Sequence, residues 1–493
     1  MECILRRCSR QAEVYGMLGD NQFLAESAGE QGIWEDPGLW TDLYHPDAAY
    51  VAWTNGRNPV VTFDLLVREA PFDGSYLVAA GINAALRFIS GFHYADGSLS
   101  SLRRLGYPET YLQELATLRF TGDVAAVQEG RLVFPGEPLL RVSAPFREAL
   151  LVESGVLQAI NTATLIATKA ARIVEAAAGR PVAEFGFRRA QSPLIASYAA
   201  RVGGCASTSF LAASSAFDIP VSGTIPHALV ELFIDEEEAF RAVARAHPNF
   251  RLLLDTYNTL QAAETAVRVG AWARASLGHE LAAVRLDSGD LADLSRQVRA
   301  ILDAGGFAET QILASGDLDE WKISDLLADG VPIDGFGVGT ALVDGLGSLE
   351  HRSVGGAVGG VYKLAWVAAE DGYPSHAAVK VAGAKSTVPG AKMIARAPDF
   401  SHDLLLLVDE PLPDEYMSLL QPAIASGITT PSFADDHIED ASDRRKADLA
   451  ALPEMWHSLD KVPAPTFPVN HSRKLATLLA ATSARLAASA PKE

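Results

Sequence analysis

Cysteine is scarce in this 493-residue chain: Cys3 and Cys8 lie near the start, Cys205 far along it, and no CxxC occurs. Neither a disulfide framework nor a structural zinc site is indicated, which fits a reducing cytoplasm. Positive charge is also in short supply, with 41 Lys and Arg against 61 Asp and Glu and a formal charge of −20. That balance argues against a nucleic-acid coat or an anionic membrane surface as partner. Long apolar runs are missing too. The opening MECILRRCSRQAEVYG carries positive charge without an apolar core of signal length, and no later run is long enough to span a bilayer. Neither export nor insertion is expected. What remains is an ordinary globular composition, 48% hydrophobic and 21% charged. The length suits two domains, or a barrel with a substantial added layer. An acidic protein that handles anionic substrates must gather its Arg and Lys in a cleft.

Residues 1–38, polar with glycines, read as a poorly ordered arm. From 39 to 150 the pattern is α+β: helical over 41–53, alternating over 60–69, helical near 82–90, then alternating around Gly and Pro turns over 120–142. A long helix over 151–178 opens a region, 151–380, with a different rhythm. Short apolar runs recur, end in small polar or charged residues, and mostly lead into helical segments. The ends read EFGFRR (184–189), CASTS (205–209), VSGTIPH (221–227), LLLDTY (252–257), VRLDSGD (284–290), ILASGD (312–317), FGVGT (336–340) and GVYKL (360–364). Eight strands with polar C-terminal ends predict an α/β fold built on a (β/α) barrel, whose active site lies on that face. An open doubly wound sheet gives a similar alternation and is the alternative. After about residue 380 the rhythm stops. HDLLLLVDEPLP (402–413) reads as a strand returning to the first domain's sheet, 425–470 as loop and short helix, and the end as an amphipathic helix. The α+β domain is thus expected to be discontinuous, with 381–493 completing it.

RLDSGD (285–290) is the most informative stretch, lying between the apolar run LAAVR and the amphipathic LADLSRQVRAILDAGG. An arginine and two carboxylates on a strand-to-helix turn suit a ligand carrying phosphates, metal-associated charge and sugar hydroxyls. They equally suit a helix start, with Ser288 or Asp290 as N-cap. ASGD (314–317) and GVGT (337–340) offer Gly-opened backbone N–H groups and hydroxyls late in the barrel, where phosphate sites of this fold are found; plain turn chemistry is the competing reading. Arg188 and Arg189 present adjacent forks for a carboxylate or phosphate, or form surface salt bridges. Phe185 and Tyr44 offer flat faces for an aromatic ring, or are core. His227, at a strand end among other polar ends, suits proton transfer or phosphoryl capture.

TDLY (41–44), EGRLVFPGEPLLRV (129–142), ATKAARI (167–173), EFGFRRAQ (184–191), GT..H (223–227), LLLDTYNTL (252–260), RLDSGDLADLS (285–295), FGVGT (336–340) and VYKL (361–364) together resemble nicotinate phosphoribosyltransferase. The likeness runs in unbroken order over roughly residues 40–380. It implies an irregular type II phosphoribosyltransferase barrel with a second domain, usually a homodimer. It implies a reaction joining nicotinate to phosphoribosyl pyrophosphate, giving nicotinate mononucleotide and pyrophosphate for NAD salvage, with ATP as co-substrate and Mg²⁺ accompanying pyrophosphate. ATP hydrolysis is then coupled through phosphorylation of His227. Tyr44, reaching from the partner subunit, and Phe185 sandwich the pyridine ring. Arg285, with Thr224, Arg188 and Ser209, holds the carboxylate or the adjoining phosphates. Asp287 faces ribose and Mg²⁺-pyrophosphate, and Ser315, Gly316, Gly337, Gly339 and Thr340 cradle the 5-phosphate. Two places depart from the family's text: HPDAA after TDLY, and Pro226 and Ala228 on either side of His227.

Three rivals share these features. The nicotinamide-using relative carries an aspartate where this chain has Ser209, and a carboxylate there repels an acid substrate that Ser can donate to. A phosphate-binding barrel lyase or isomerase needs a Schiff-base lysine or a paired acid and base, a part Lys363 could be cast in. A binding protein that has lost turnover would have no reason to keep His227, Asp287 and Arg285 together.

Overall fold

The computed structural model describes residues 36–348, 355–380, 387–457, 459 and 464–489, so the N-terminal arm expected over 1–38 lies almost wholly outside the described residues. The chain forms two compact units: one takes in the sequence up to Thr168 and from Ser348 onward, the other is Lys169–Gly347. Among the described residues no helix is long and apolar enough to cross a membrane.

The first unit is built on a seven-stranded antiparallel sheet, in the order His376–Ala377, Gly360–Val367, Val60–Val67, Pro138–Pro145, Asp123–Val127, Leu420–Ala425 and Ile428–Thr429. Val60–Val67, VVTFDLLV, is rich in β-branched and aromatic residues and lies near the middle with nearly every position buried. A second sheet runs Met417–Ser418, Lys392–Arg396, Asp403–Leu407 and Val469–His471. Arg396, 1% exposed, donates to both oxygens of Asp403 and to the Leu132 carbonyl, so its charge is paired and its donors are used.

Three strand assignments differ from the sequence reading. GVYKL is not a barrel strand: Gly360–Val367 pairs antiparallel with Val60–Val67, and Lys363 lies opposite Asp64 while its amino group donates to the Tyr362 carbonyl. No helix follows it, only a turn and the short strand His376–Ala377, and without a crossover helix a parallel neighbour is out of reach. The run at 402–413 pairs within the second sheet, whereas Leu420–Ala425 is the segment that returns to the first. The stretch 425–470 holds more helix than expected, including Ile438–Ala451.

The second unit is a curled parallel sheet. Its strands are β1 (Val182–Glu184), β2 (Ser207–Thr208), β3 (Asn249–Leu253), β4 (Glu280–Leu286), β5 (Gln311–Ala314) and β6 (Gly335–Val338), in the order β2-β1-β6-β5-β4-β3. Each strand leads into helix, among them Pro193–Val202, Thr259–Leu277, Leu291–Ala304 and Glu320–Ala328. The VSGTIPH run gives no full strand; Val221 makes one parallel bridge to Thr208 beyond β2. At the opposite edge Arg251 of β3 donates to the Ser222 hydroxyl at 3.3 Å. The two edges thus meet through a side chain rather than a ladder. This is an irregular (β/α) barrel and not an open doubly wound sheet.

Candidate active site

The C-terminal ends of the barrel strands surround a cavity of about 480 Å³, a size that suits a nucleotide-like ligand. Every site residue expected from the sequence lines it except Tyr44. Tyr44 belongs to the first unit, is exposed, and rests its ring 4.0 Å from that of His45. Burial, with Glu153 and Asp42 nearby, raises its hydroxyl pKa.

Arg285, on β4, is the hub. Its guanidinium donates to Ser315 Oγ at 2.7 Å, Thr224 Oγ1 at 3.1 Å and Asp287 Oδ1 at 2.6 Å. Ser315 also donates to the same Asp287 oxygen. The ends of β4 and β5 and the 221–227 loop are thereby tied to one planar fork; three of its five N–H donors are used, only one of them by a carboxylate, so an anion can still be received. The two functions proposed for RLDSGD separate here. Asp290 caps the helix Leu291–Ala304, accepting from the N–H groups of Ala292 and Asp293, while Asp287 faces the cavity. Gly289 takes φ +82° between them, which lets the chain turn.

The Ser315–Asp317 turn has positive φ at Gly316 and Asp317, +95° and +49°. Such curled backbone forms anion-binding concavities. Gly316 is required twice over, because a Cβ there would also lie 2.0 Å from the Asp287 carbonyl oxygen. At β6 a Cβ on Gly337 would lie 2.4 Å from the Phe185 ring, so glycine is what allows that ring to lie against the strand. Phe185 is held by its own N–H, which donates to Val338 O at 2.8 Å, and the Arg285 guanidinium carbon is 5.6 Å from its ring centre. Arg189 reaches Thr340 Oγ1 and lies 3.9 Å from Asp317, while Arg188, Ser209 and Gly339 complete the wall.

His227 opens the short helix His227–Glu231. Its Nδ1 is 3.1 Å from Thr256 Oγ1 and its Nε2 is 4.0 Å from Asp287 Oδ2, too far for a hydrogen bond. Pro226 occupies the N-cap at φ −82°, near proline's own range, and the missing N–H is one a helix would leave unused there. The departure around His227 therefore costs the loop little.

Residues 39–161 match the nicotinate phosphoribosyltransferase (NAPRTase) N-terminal domain, and residues 166–345 the quinolinate phosphoribosyl transferase C-terminal domain. Nicotinate phosphoribosyltransferase pncB2 of Mycobacterium tuberculosis is 38% identical over 429 residues, covering 86% of this chain and 89% of that protein. The chain belongs to the nicotinate phosphoribosyltransferase family. A further member, the nicotinate phosphoribosyltransferase of Bacillus subtilis, is 39% identical over 78% of this chain and 79% of its own length. The crystal structure of human nicotinic acid phosphoribosyltransferase superposes with a TM-score of 0.75 at 26% identity, covering 90% of this chain and 99% of that one.

Three features of this nicotinate phosphoribosyltransferase family member escaped the sequence reading. Glu184, 1% exposed at the end of β1, accepts from the Gly186 N–H, from Ser197 Oγ at 2.8 Å and from Thr208 Oγ1 at 2.6 Å. A glutamate inside an apolar run was the available signal. Asp255 accepts from Ser288 Oγ through Oδ2, while its buried Oδ1 has no hydrogen-bond partner. Phe187 and Phe210, next in sequence to the cavity residues Arg188 and Ser209, stack with ring centres 4.0 Å apart.

Proposed function

We propose that the chain transfers the phosphoribosyl group of phosphoribosyl pyrophosphate to nicotinate, giving nicotinate mononucleotide and pyrophosphate, with ATP hydrolysis coupled through His227. The observation that carries this reading is the Arg285 hub, which joins Thr224, Asp287 and Ser315 within reach of the Phe185 ring. The cavity thus offers a cation, a carboxylate, phosphate-type turns and a flat aromatic face together. The relatives carrying the same name give independent support.

In this reaction the ring nitrogen of nicotinate shares its lone pair with C1 of the ribose. The bond from C1 to the pyrophosphate oxygen breaks, and pyrophosphate leaves with that electron pair. No proton has to move, so positioning and fixed charge do most of the work. Phe185 and Tyr44 hold the pyridine faces, Tyr44 coming from the second subunit of a homodimer. Ser209, Arg188 and Arg285 receive the carboxylate and adjoining phosphates. The turns at Ser315–Gly316 and Gly337–Thr340 cradle the 5-phosphate. Asp287 faces the ribose and pyrophosphate. Asp287, with Asp255 and its unpartnered Oδ1 on the neighbouring strand end, would hold a Mg²⁺ arriving with pyrophosphate, and the ion would neutralise charge on the leaving group. Phosphorylation of His227 places anionic oxygens beside that site and changes its affinity for pyrophosphate, which links ATP to the direction of reaction.

The test is product formation by purified protein with Mg²⁺ and phosphoribosyl pyrophosphate, offering nicotinate, nicotinamide and quinolinate separately, each with and without ATP. Nicotinate mononucleotide from nicotinate alone, formed faster with ATP, is expected. ATP stimulation should vanish in His227→Ala; stimulation that survives overturns the coupling, and no product from any of the three acceptors overturns the reaction.

A further inference from the structure

Next to two of the cavity-lining residues is an arrangement that the transfer reaction does not itself require. Phe187 and Phe210 come from two neighbouring strand ends, and their rings stack at 14° with centres 4.0 Å apart. Phe187 is 45% exposed, so the pair adds little to the core. Directly after Phe187 comes Arg188, and directly before Phe210 comes Ser209, two of the cavity residues whose chemistry suits a carboxylate. The stack therefore bridges the two segments at the point where each turns a polar side chain toward the cavity.

A second tie joins the same segments. The buried Glu184 carboxylate gathers the Gly186 N–H and the hydroxyls of Ser197 and Thr208. Thr208 Oγ1 in turn accepts from the Phe210 N–H at 3.0 Å, and the Ser209 N–H donates to the Glu184 carbonyl at 2.9 Å. A buried carboxylate with its acceptor sites filled resists displacement, since moving any donor leaves charge unsatisfied. Backbone and carboxylate tie the two segments at their strand ends, and the aromatic stack ties them again just beyond.

We propose that Phe187 and Phe210, seated on Glu184, form a positioning clasp that sets the spacing of Arg188 and Ser209 and so the preference for an acid over an amide substrate. The clasp rests on the reading of nicotinate as substrate. Neither phenyl touches the reacting atoms; both act through the residues beside them. Loss of the stack frees Ser209 and Arg188 to spread, which weakens the grip on a carboxylate and leaves the phosphoribosyl pyrophosphate contacts at β4, β5 and β6 in place.

Phe210→Ala, Phe210→Leu and Phe210→Tyr are compared with wild type in the full-length protein, with melting temperatures as a check on folding. The alanine and leucine variants should raise KM for nicotinate about three- to tenfold, the scale of one aromatic pair. KM for phosphoribosyl pyrophosphate and kcat should stay near wild type, the nicotinate-over-nicotinamide preference should fall, and the tyrosine variant, which keeps the stack, should behave as wild type. An unshifted nicotinate KM in Phe210→Ala overturns the clasp, as does an equal rise in both KM values. Leucine restoring wild-type behaviour also overturns it, because bulk alone would then suffice. Absence of turnover in the wild-type protein removes the substrate reading and the clasp with it, whereas intact turnover with an unshifted variant removes the clasp alone.

Discussion

Ser209 shows how much one side chain can decide at a polar cavity wall. A hydroxyl can donate to a carboxylate, whereas an aspartate at the same place would repel it and accept from an amide. Ser209→Asp should lower kcat/KM for nicotinate by about a hundredfold or more and raise it for nicotinamide, because a polar mismatch covered by bound substrate discriminates strongly. Parallel assays with the two acceptors decide this; an unchanged ratio would show that Ser209 does not read the substituent. A second residue governs pH response instead. Glu236, first in the helix Glu236–Ala246, has a buried Oε1 without a hydrogen-bond partner, and burial raises its pKa to about 7 from 4.5. Folding thus favours its neutral form. Stability is full below the unfolded value near 4.5 and is lost as pH rises from there to about 7. Glu236→Gln should melt with wild type at pH 4 and about two to four degrees above it at pH 8. That is the shift expected for about 1 kcal/mol, after discounting for the solvent around a half-exposed group.

Residues of this kind differ in how plainly the sequence displays them. Arg285, Asp287, Ser315 and Thr340 stand out because charged and hydroxyl groups at the ends of apolar runs have few structural reasons to recur. Glu184 and Phe210 do not stand out. Their roles arise from contacts with residues that come beside them only when β1 and β2 pair, and no local spacing records that pairing.

At the scale of elements, the same limit explains the misread strands. Gly360–Val367 has the length and apolar content of a barrel strand, and sequence does not record which neighbour a strand takes. The missing helix after it was the legible clue. Val221 fails for the opposite reason: VSGTIPH ends in the right residues, but only a single bridge forms before the chain turns to present Thr224 and His227. The turns after β5 and β6 are where elements and chemistry meet. Gly316→Ala introduces a side chain at φ +95° and drives it into the Asp287 carbonyl. We expect kcat/KM for phosphoribosyl pyrophosphate to fall at least about a hundredfold, as displacement by about an ångström does in a positioned site. Far-ultraviolet circular dichroism should remain that of wild type. A variant with full activity would show that this turn does not hold the phosphate.

For the whole molecule, the proposed homodimer makes a prediction that no monomer can satisfy. Leu39, Trp40, Leu43, Tyr44 and Val51 are all exposed along one stretch of the first unit, and clustered exposed apolar side chains mark interaction surfaces. Tyr44→Ala and Arg285→Ala proteins should each be nearly inactive alone. Co-expressed, half of their dimers are mixed, and each mixed dimer holds one site free of both changes. Activity should recover to about a quarter of wild type by this symmetry argument. No recovery would place Tyr44 in the site of its own subunit, and a Tyr44→Ala protein active alone would place it outside the site altogether.

The discontinuity of the first unit fixes an order of events on the ribosome. Val60–Val67 emerges early, yet its neighbour Gly360–Val367 is not translated until the barrel has been completed. The barrel strands, by contrast, are synthesised in one uninterrupted stretch and can assemble as soon as it has left the exit tunnel. For that interval an apolar strand waits with one edge unpaired, the kind of surface that chaperones bind and that seeds aggregation. Nascent chains stalled once residue 347 has cleared the tunnel, but before Gly360–Val367 has, should therefore carry a protease-resistant barrel behind a protease-sensitive leading segment, and released full-length chains should resist along both.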